Sequence, residues 1–282
     1  MVHDAHFQRD RRAPYRVRWW APGMVDIARA WRIARTGVAF TVFGLGALLF
    51  AIVGFPGLRL IPGTAEDKEL RAQRLVHVGF RLFVWFMERL GLIRVVRIGT
   101  ERLRDSGAQL VVANHPTLID VVLLIACMPQ ADCVVKHAHW RSRIMRRVVT
   151  GAGYIPNAEG DALVDACVRR LHQGRSLLLF PEGTRSPRQR LGPFHRGAAH
   201  IALRSGCDLV PVTIRCVPPT LAKGGRWYDV PHRTAQLTIE VGDPLVAGAR
   251  ANGPLAARTL TAALRGFYEE RLLAGGSENA TA

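Results

Sequence analysis

The stretch Leu110-Val-Val-Ala-Asn-His-Pro-Thr-Leu-Ile-Asp120, continuing Val-Val-Leu-Leu-Ile-Ala-Cys127, divides into three pieces. Leu110 to Ala113 is a short apolar run of the kind that fills a strand buried on both faces. Pro116 favours a turn directly after it. Leu118 to Cys127 then reads as a helix. This strand-turn-helix unit recurs from about Arg94 onward. Strands are predicted at Arg94 to Ile98, Leu110 to Ala113, Cys133 to Lys136, Ser176 to Phe180, Leu209 to Arg215 and Leu237 to Val241. Between them helices are predicted near Leu118 to Cys127, Trp140 to Thr150, Asp161 to His172 and Gly197 to Arg204, with a last one from about Leu255 to Leu273 and a fraying tail after Gly275. In the third helix Asp161 is expected to cap the start, and Leu163, Cys167 and Leu171 share one face. The alternation implies an α/β fold with a largely parallel central sheet flanked by helices.

Ahead of this domain, residues 1–93 have a different texture. Arginines at 9, 11, 12, 16, 18, 29, 32 and 35 are interleaved with Trp19, Trp20 and Trp31, which suits an anionic lipid interface. Gly37 to Leu58 follows without a charge, long enough to cross a bilayer and too deep in the chain for an ordinary signal peptide. Leu75 to Ile93 is apolar but carries His77, Arg81, Glu88 and Arg89, the mark of an amphipathic surface helix. Cations flank the uncharged stretch on both sides, so loop charge does not choose an orientation. A hairpin that enters the membrane and returns keeps both ends cytoplasmic; a buried core helix is the other reading. The expected division is therefore a membrane-associated helical region over 1–93 and an α/β domain over 94–282.

With 49% hydrophobic residues, a sizeable core is expected. Lys plus Arg total 39 against 22 acidic residues, a formal charge of +17 that attracts anionic partners. Only Lys68, Lys136 and Lys223 are lysines, so the arginine excess also fits a bias in base composition. The five cysteines, without a C-x-x-C pair, read as buried reduced thiols in a reducing compartment. Their spacing does not suit a zinc site, and His137 with His139 is the remaining metal-binding possibility.

The chemistry concentrates at two turns. A strand ending at Ala113 delivers His115 to its C-terminal end, where α/β sheets place active sites. Asp120, five positions on, can return its carboxylate to one ring nitrogen, fixing the tautomer and leaving the other nitrogen to take a proton. Such a pair without a side-chain nucleophile suits attack by an external hydroxyl on a thioester, and the chain contains no G-x-S-x-G elbow. The second turn lies in Leu177-Leu-Leu-Phe-Pro-Glu-Gly-Thr-Arg-Ser-Pro187, where Gly183 admits close backbone approach and Thr184 and Arg185 offer donors. Arg185 suits a bidentate phosphate contact, or else an ion pair with Glu182 within the turn.

Together, Asn114-His115 through Asp120 and Phe180-Pro181-Glu182-Gly183-Thr184-Arg185-Ser186 resemble the glycerolipid acyltransferase superfamily, which includes the lysophosphatidic acid acyltransferases. Phe194, Arg196-Gly197-Ala198-Ala199, Ile201-Ala202 and Leu209-Val210-Pro211-Val212 extend the resemblance over roughly residues 95–245. It implies an acyl-CoA or acyl carrier protein donor and a lysolipid acceptor, commonly 1-acylglycerol 3-phosphate; the residues themselves require no metal or redox cofactor. By resemblance His115 is the general base and Asp120 its orienting partner. Glu182 and Gly183 belong to the acceptor site, Arg185 holds phosphate, and Pro211 helps shape the cleft. The family's second motif is similar to Gly-x-Ile-x-x-Arg, whereas this chain reads Gly153-Tyr154-Ile155-Pro156-Asn157. Asn157 donates hydrogen bonds but brings no charge, so either Arg185 with Lys136 holds a phosphate or the acceptor is another lipid, such as an amino-acid lipid or glycolipid precursor.

The expectation is O-acyl transfer at an anionic membrane surface, with the catalytic domain on the cytoplasmic side. Its rivals are a thioester hydrolase, which gives the acyl group to water, and a noncatalytic basic membrane or nucleic-acid binding protein. Scattered arginines and the lack of a nucleic-acid motif speak against the last.

Overall fold

A computed structural model of the chain describes residues 27–104, 107–135, 143–157, 160–187, 190–247 and 254–278. Lys136, His137, His139 and the arginine- and tryptophan-rich segment 1–26 lie outside the described residues.

The uncharged N-terminal stretch is helical. α1 covers Ile27–Leu49 and runs through a π-helical turn at Phe50–Gly54 into α2, Phe55–Leu60. Pro56 interrupts without breaking the rod because it falls in the first turn of α2, where its missing N–H has no intrahelical partner to lose. By length and composition, Ile27–Leu60 is apolar enough to cross a membrane. α3, Ala65–Arg89, starts ten residues earlier than its apolar pattern predicts. A reciprocal cap sets that start: Asp67 N–H donates to Thr64 Oγ at 3.1 Å, and Thr64 N–H donates to the Asp67 carboxylate at 2.9 Å.

α3 returns antiparallel to α1. Phe43 packs on Phe83 with ring centroids 5.1 Å apart, whereas about two turns further along the rod, at the start of the π-helical turn, the Phe50 ring lies over Gly79. A Cβ on Gly79 would stand 2.4 Å from that ring, so only glycine permits this approach.

The sheet has seven strands in the order β1-β7-β6-β2-β5-β3-β4. Its strands are β1 Ile93–Ile98, β2 Leu110–Ala113, β3 Asp132–Val135, β4 Ile155–Pro156, β5 Leu177–Leu179, β6 Leu209–Val217 and β7 Ala235–Val241. All pairs are parallel except β6 with β7. β4 escapes the sequence pattern because two residues are too few for alternation to show. The later helices are α4 Asp120–Ile125, α5 Arg143–Gly151, α6 Asp161–His172, α7 Gly197–Ser205 and α8 Pro254–Glu278. Two expectations need correction here. Asp161 is the first residue of α6 rather than its cap, since Gly160 occupies the cap position without a side-chain bond. The last helix ends at Glu278, beyond the expected Leu273.

β2 shows why both faces of the sheet are apolar. Val111 and Ala113 enter a core shared with α3 and α4, while Leu110 and Val112 enter one shared with α6, α7 and α8. Tyr268 of α8 is fully buried in the second core, and its hydroxyl donates to the Val112 carbonyl at 2.6 Å. An ionic cluster ties α3 to the sheet. Glu69 receives Arg170 and Arg175, each at 2.7 Å, and Arg175 also donates to Asp132 at 2.8 Å. Gln73 reaches the same Asp132 carboxylate at 2.9 Å.

The register positions the site. β2 lies between β5 and β6, with Val112 opposite both Leu179 and Pro211. Parallel neighbours ending at the same level put the turn after Ala113 beside the turn after Leu179, which is how residues 115 and 182 meet.

Candidate active site

The chain leaving β2 is held before it turns. Asn114 is buried, its side-chain amide donates to the Ile214 carbonyl at 2.9 Å, and its side-chain carbonyl accepts the Ile214 N–H at 2.7 Å. A side chain thereby continues the β2–β6 ladder one step past the last backbone pair, Ala113 with Val212. His115 follows at a fixed place. Its backbone N–H donates to Glu182 at 3.1 Å, and its carbonyl accepts the Ser186 N–H at 2.7 Å. The imidazole stacks on Phe180 with centroids 4.4 Å apart.

His115 Nδ1 stands 2.8 Å from Asp120 Oδ2. Asp120 is fully buried at the start of α4 and also accepts the Thr117 N–H at 2.7 Å and the Thr117 hydroxyl. Burial pushes the Asp120 carboxyl above the ordinary aspartate range, against the pull of His115 and Thr117. A buried carboxylate beside Nδ1 favours the tautomer with its proton on Nδ1 and leaves the Nε2 lone pair free. The imidazole is mostly covered, with 16% of the side chain exposed, and it lines a cavity.

That cavity, about 1220 Å³, brings together His115, Asn157, Gly183, Thr184 and Arg185. His115 and Arg185, 70 positions apart in sequence, thus border one space. Other walls come from α1 and α3 through Ala39, Phe43, Val76 and Phe80. Gly183 has φ +60°, and a Cβ there would press on His195 at 3.3 Å, so the turn requires glycine. His195 lines the same cavity and was missed in the sequence, where a lone histidine after a proline and an aromatic residue carries no signal.

Two residues sit otherwise than expected. Glu182 does not line the cavity: it is buried, and its carboxylate accepts the His115 N–H, the Ser186 hydroxyl at 2.5 Å and the Gly192 N–H at 2.7 Å. Its place is under the site, joining the two turns, rather than among acceptor contacts. Neither does it pair with Arg185, whose Nη1 donates to the Leu221 and Ala222 carbonyls at 3.2 and 3.3 Å. Pro211 lies within β6 opposite Val112 and does not line the cavity.

Comparison with known proteins bears on this arrangement. The family profile described as Acyltransferase matches residues 93–215. A chloroplastic 1-acyl-sn-glycerol-3-phosphate acyltransferase of Brassica napus is 32% identical over 41% of this chain and 36% of its own length. A 1-acyl-sn-glycerol-3-phosphate acyltransferase of Helicobacter pylori is 32% identical over 39% of this chain and 49% of its own length. A lyso-ornithine lipid O-acyltransferase of Pseudomonas aeruginosa is 32% identical over 61% of this chain and 65% of its own length. The chain thus spans between about a third and two thirds of these relatives. The crystal structure of the 1-acyl-sn-glycerophosphate (LPA) acyltransferase PlsC from Thermotoga maritima shares the fold, with a TM-score of 0.66 at 17% identity over 85% of this chain and 97% of that one. The profile covers both turns that meet at His115, and the fold agrees over nearly the whole of a solved structure, so the chain is similar in sequence to the family described as Acyltransferase over residues 93–215 and shares the fold of a 1-acyl-sn-glycerophosphate acyltransferase.

Proposed function

We propose that the chain moves an acyl group from a thioester, acyl-CoA or acyl carrier protein, to the hydroxyl of a lysolipid at a membrane surface. His115 at 2.8 Å from Asp120, opening into a long apolar cavity, is the observation that carries this reading. His115 Nε2 takes the acceptor's hydroxyl proton as its oxygen attacks the thioester carbon. The C–S bond then breaks, and the departing thiolate receives the proton from the imidazolium. Asp120 holds the ring and offsets its positive charge. Of the groups lining the cavity, the Cys133 thiol is pushed up to about 12 by burial and stays protonated, which disfavours a covalent route through sulfur.

A lysolipid acceptor is supported by the names of the relatives, a 1-acyl-sn-glycerol-3-phosphate acyltransferase and a lyso-ornithine lipid O-acyltransferase. Asn157, where the family's pattern has a basic residue, favours a head other than a simple phosphate. Residues 1–93 serve as the membrane-associated region: α1 exposes Val38, Val42, Leu45 and Leu49, the π-helical turn exposes Val53, and α3 exposes Leu82 and Trp85, apolar surface that water does not tolerate in such extent. Five free cysteines support a catalytic domain on the cytoplasmic side.

The test is mass spectrometry of products formed by purified protein in lipid vesicles, with acyl-CoA and acyl carrier protein donors and a panel of lysolipids. A diacylated product that requires added lysolipid supports the proposal. Free fatty acid formed equally well without any acceptor would replace it with thioester hydrolysis.

A further inference from the structure

The cavity carries one sign of charge. Among its described lining residues Arg32, Arg185 and Lys223 are fixed cations, and none is an aspartate or glutamate. Apolar walls of low polarisability focus such a field, so the occupant it favours bears negative charge. Arg185 has part of its guanidinium committed to the Leu221 and Ala222 carbonyls. The Leu221 carbonyl also accepts the Leu118 N–H at 3.1 Å, and Leu118 lies between His115 and Asp120. One carbonyl therefore ties the connection between β6 and β7 to both site-bearing turns. Leu221 adopts φ +50° to make this contact, a conformation a leucine rarely holds without compensation.

Two residues on, Lys223 borders the cavity with its side chain exposed. Among the described residues it has no hydrogen-bond or ion-pair partner. The far part of the connection is seated on α1, where Trp227 meets Phe40 edge-on at 6.2 Å. Lys223 is thus carried on a segment fixed at both ends, beside a cavity whose Asn157 wall supplies no charge.

We infer that Lys223 is the acceptor-recognising cation: its ammonium binds the anionic group, phosphate or carboxylate, of the lysolipid head, and Arg185 holds the Lys223 segment in place. This rests on the acyltransfer reading for the identity of the ligand but is tested by binding alone. The full chain with His115→Ala is titrated in neutral detergent micelles with three single-chain probes: 1-acylglycerol 3-phosphate, an N-acyl amino acid and a neutral monoacylglycerol. Lys223→Ala is expected to weaken at least one anionic probe roughly tenfold, as loss of a charged hydrogen bond does, and to leave the neutral probe unchanged. Lys223→Arg should keep most of the affinity. Whichever anionic probe suffers more identifies phosphate or carboxylate as the recognised group. Equal binding of all three probes by the parent, unchanged binding in Lys223→Ala, or an equal loss for all three overturns the inference. Absence of product from the wild-type protein, with the Lys223 effect on binding intact, would reject acyl transfer and leave Lys223 as the cation that binds an anionic lipid head.

Discussion

The carboxylate of Glu182 accepts the backbone N–H of His115 at 3.1 Å across 67 positions of sequence. The same carboxylate takes the Ser186 hydroxyl and the Gly192 N–H, and Ser186 N–H closes the circuit on the His115 carbonyl. His115, the proposed base, is therefore placed by its peptide as well as by its ring. Glu182→Gln presents an amide N–H₂ where at least one backbone N–H now points, and a backbone donor cannot turn away. We expect kcat to fall about 10²-fold through misplacement of the ring. Urea denaturation should show a loss of about 1–3 kcal/mol. Unchanged kcat in a variant destabilised to that extent would mean the clamp serves folding alone.

His115→Ala removes the base and should lower kcat by about 10²–10⁴-fold, with the far-ultraviolet circular dichroism spectrum retained. Asp120→Asn leaves the ring present but removes the negative charge that would offset an imidazolium, so a smaller loss, on the order of 10²-fold, is expected. Steady-state rates with saturating donor and acceptor separate the two. Wild-type rates in His115→Ala would remove the imidazole from the chemistry.

How much of this was legible beforehand depended on distance along the chain. The strands β2 and β5 and the residues that follow them were readable, because an apolar run ending in a polar turn is a local pattern. That His115 and Arg185 share a space followed from parallel strands ending side by side. The inward aim of Glu182 was not readable: its three donors come from positions 115, 186 and 192, and nothing near 182 announces them. Asn114 likewise looked like part of a motif, whereas it supplies a rung of the sheet to Ile214, 100 residues away. The early start of α3 was missed for another reason, since its first turns are polar and only the Thr64–Asp67 cap marks them.

The cluster around Glu69 predicts an acid limb in the stability curve. Burial alone would raise the Glu69 carboxyl, but hydrogen bonds from Arg170 and Arg175 outweigh it and hold the group below the usual glutamate range. A depressed value in the folded chain means that the pairing stabilises fully above the unfolded value of about 4.3 and is lost as the pH falls through the lower folded value. Glu69→Gln should cost about 2 kcal/mol at pH 7. The gap in Tm between wild type and variant should stay level down to about pH 5 and close below about pH 4. A gap independent of pH would show that Glu69 acts through packing.

Ala39 tests what the cavity holds. It is buried on α1 on the same face as Thr36 and Phe43, and all three line the cavity that His115 opens into. In a filled core, Ala39→Phe would force neighbours apart and cost about 1–3 kcal/mol. Here the ring can enter open space, so stability should change by less than about 1 kcal/mol while the volume left for a chain shrinks. If that space receives the acyl group, the variant should prefer donors several carbons shorter than the wild type does, measured by competition among thioesters of graded length. If the space holds only the acceptor's chain, the donor series should be unmoved and the length preference should shift in the lysolipid instead. A destabilised variant with both preferences intact would show that α1 closes on the sheet in the working enzyme and that the cavity is not the route of either chain.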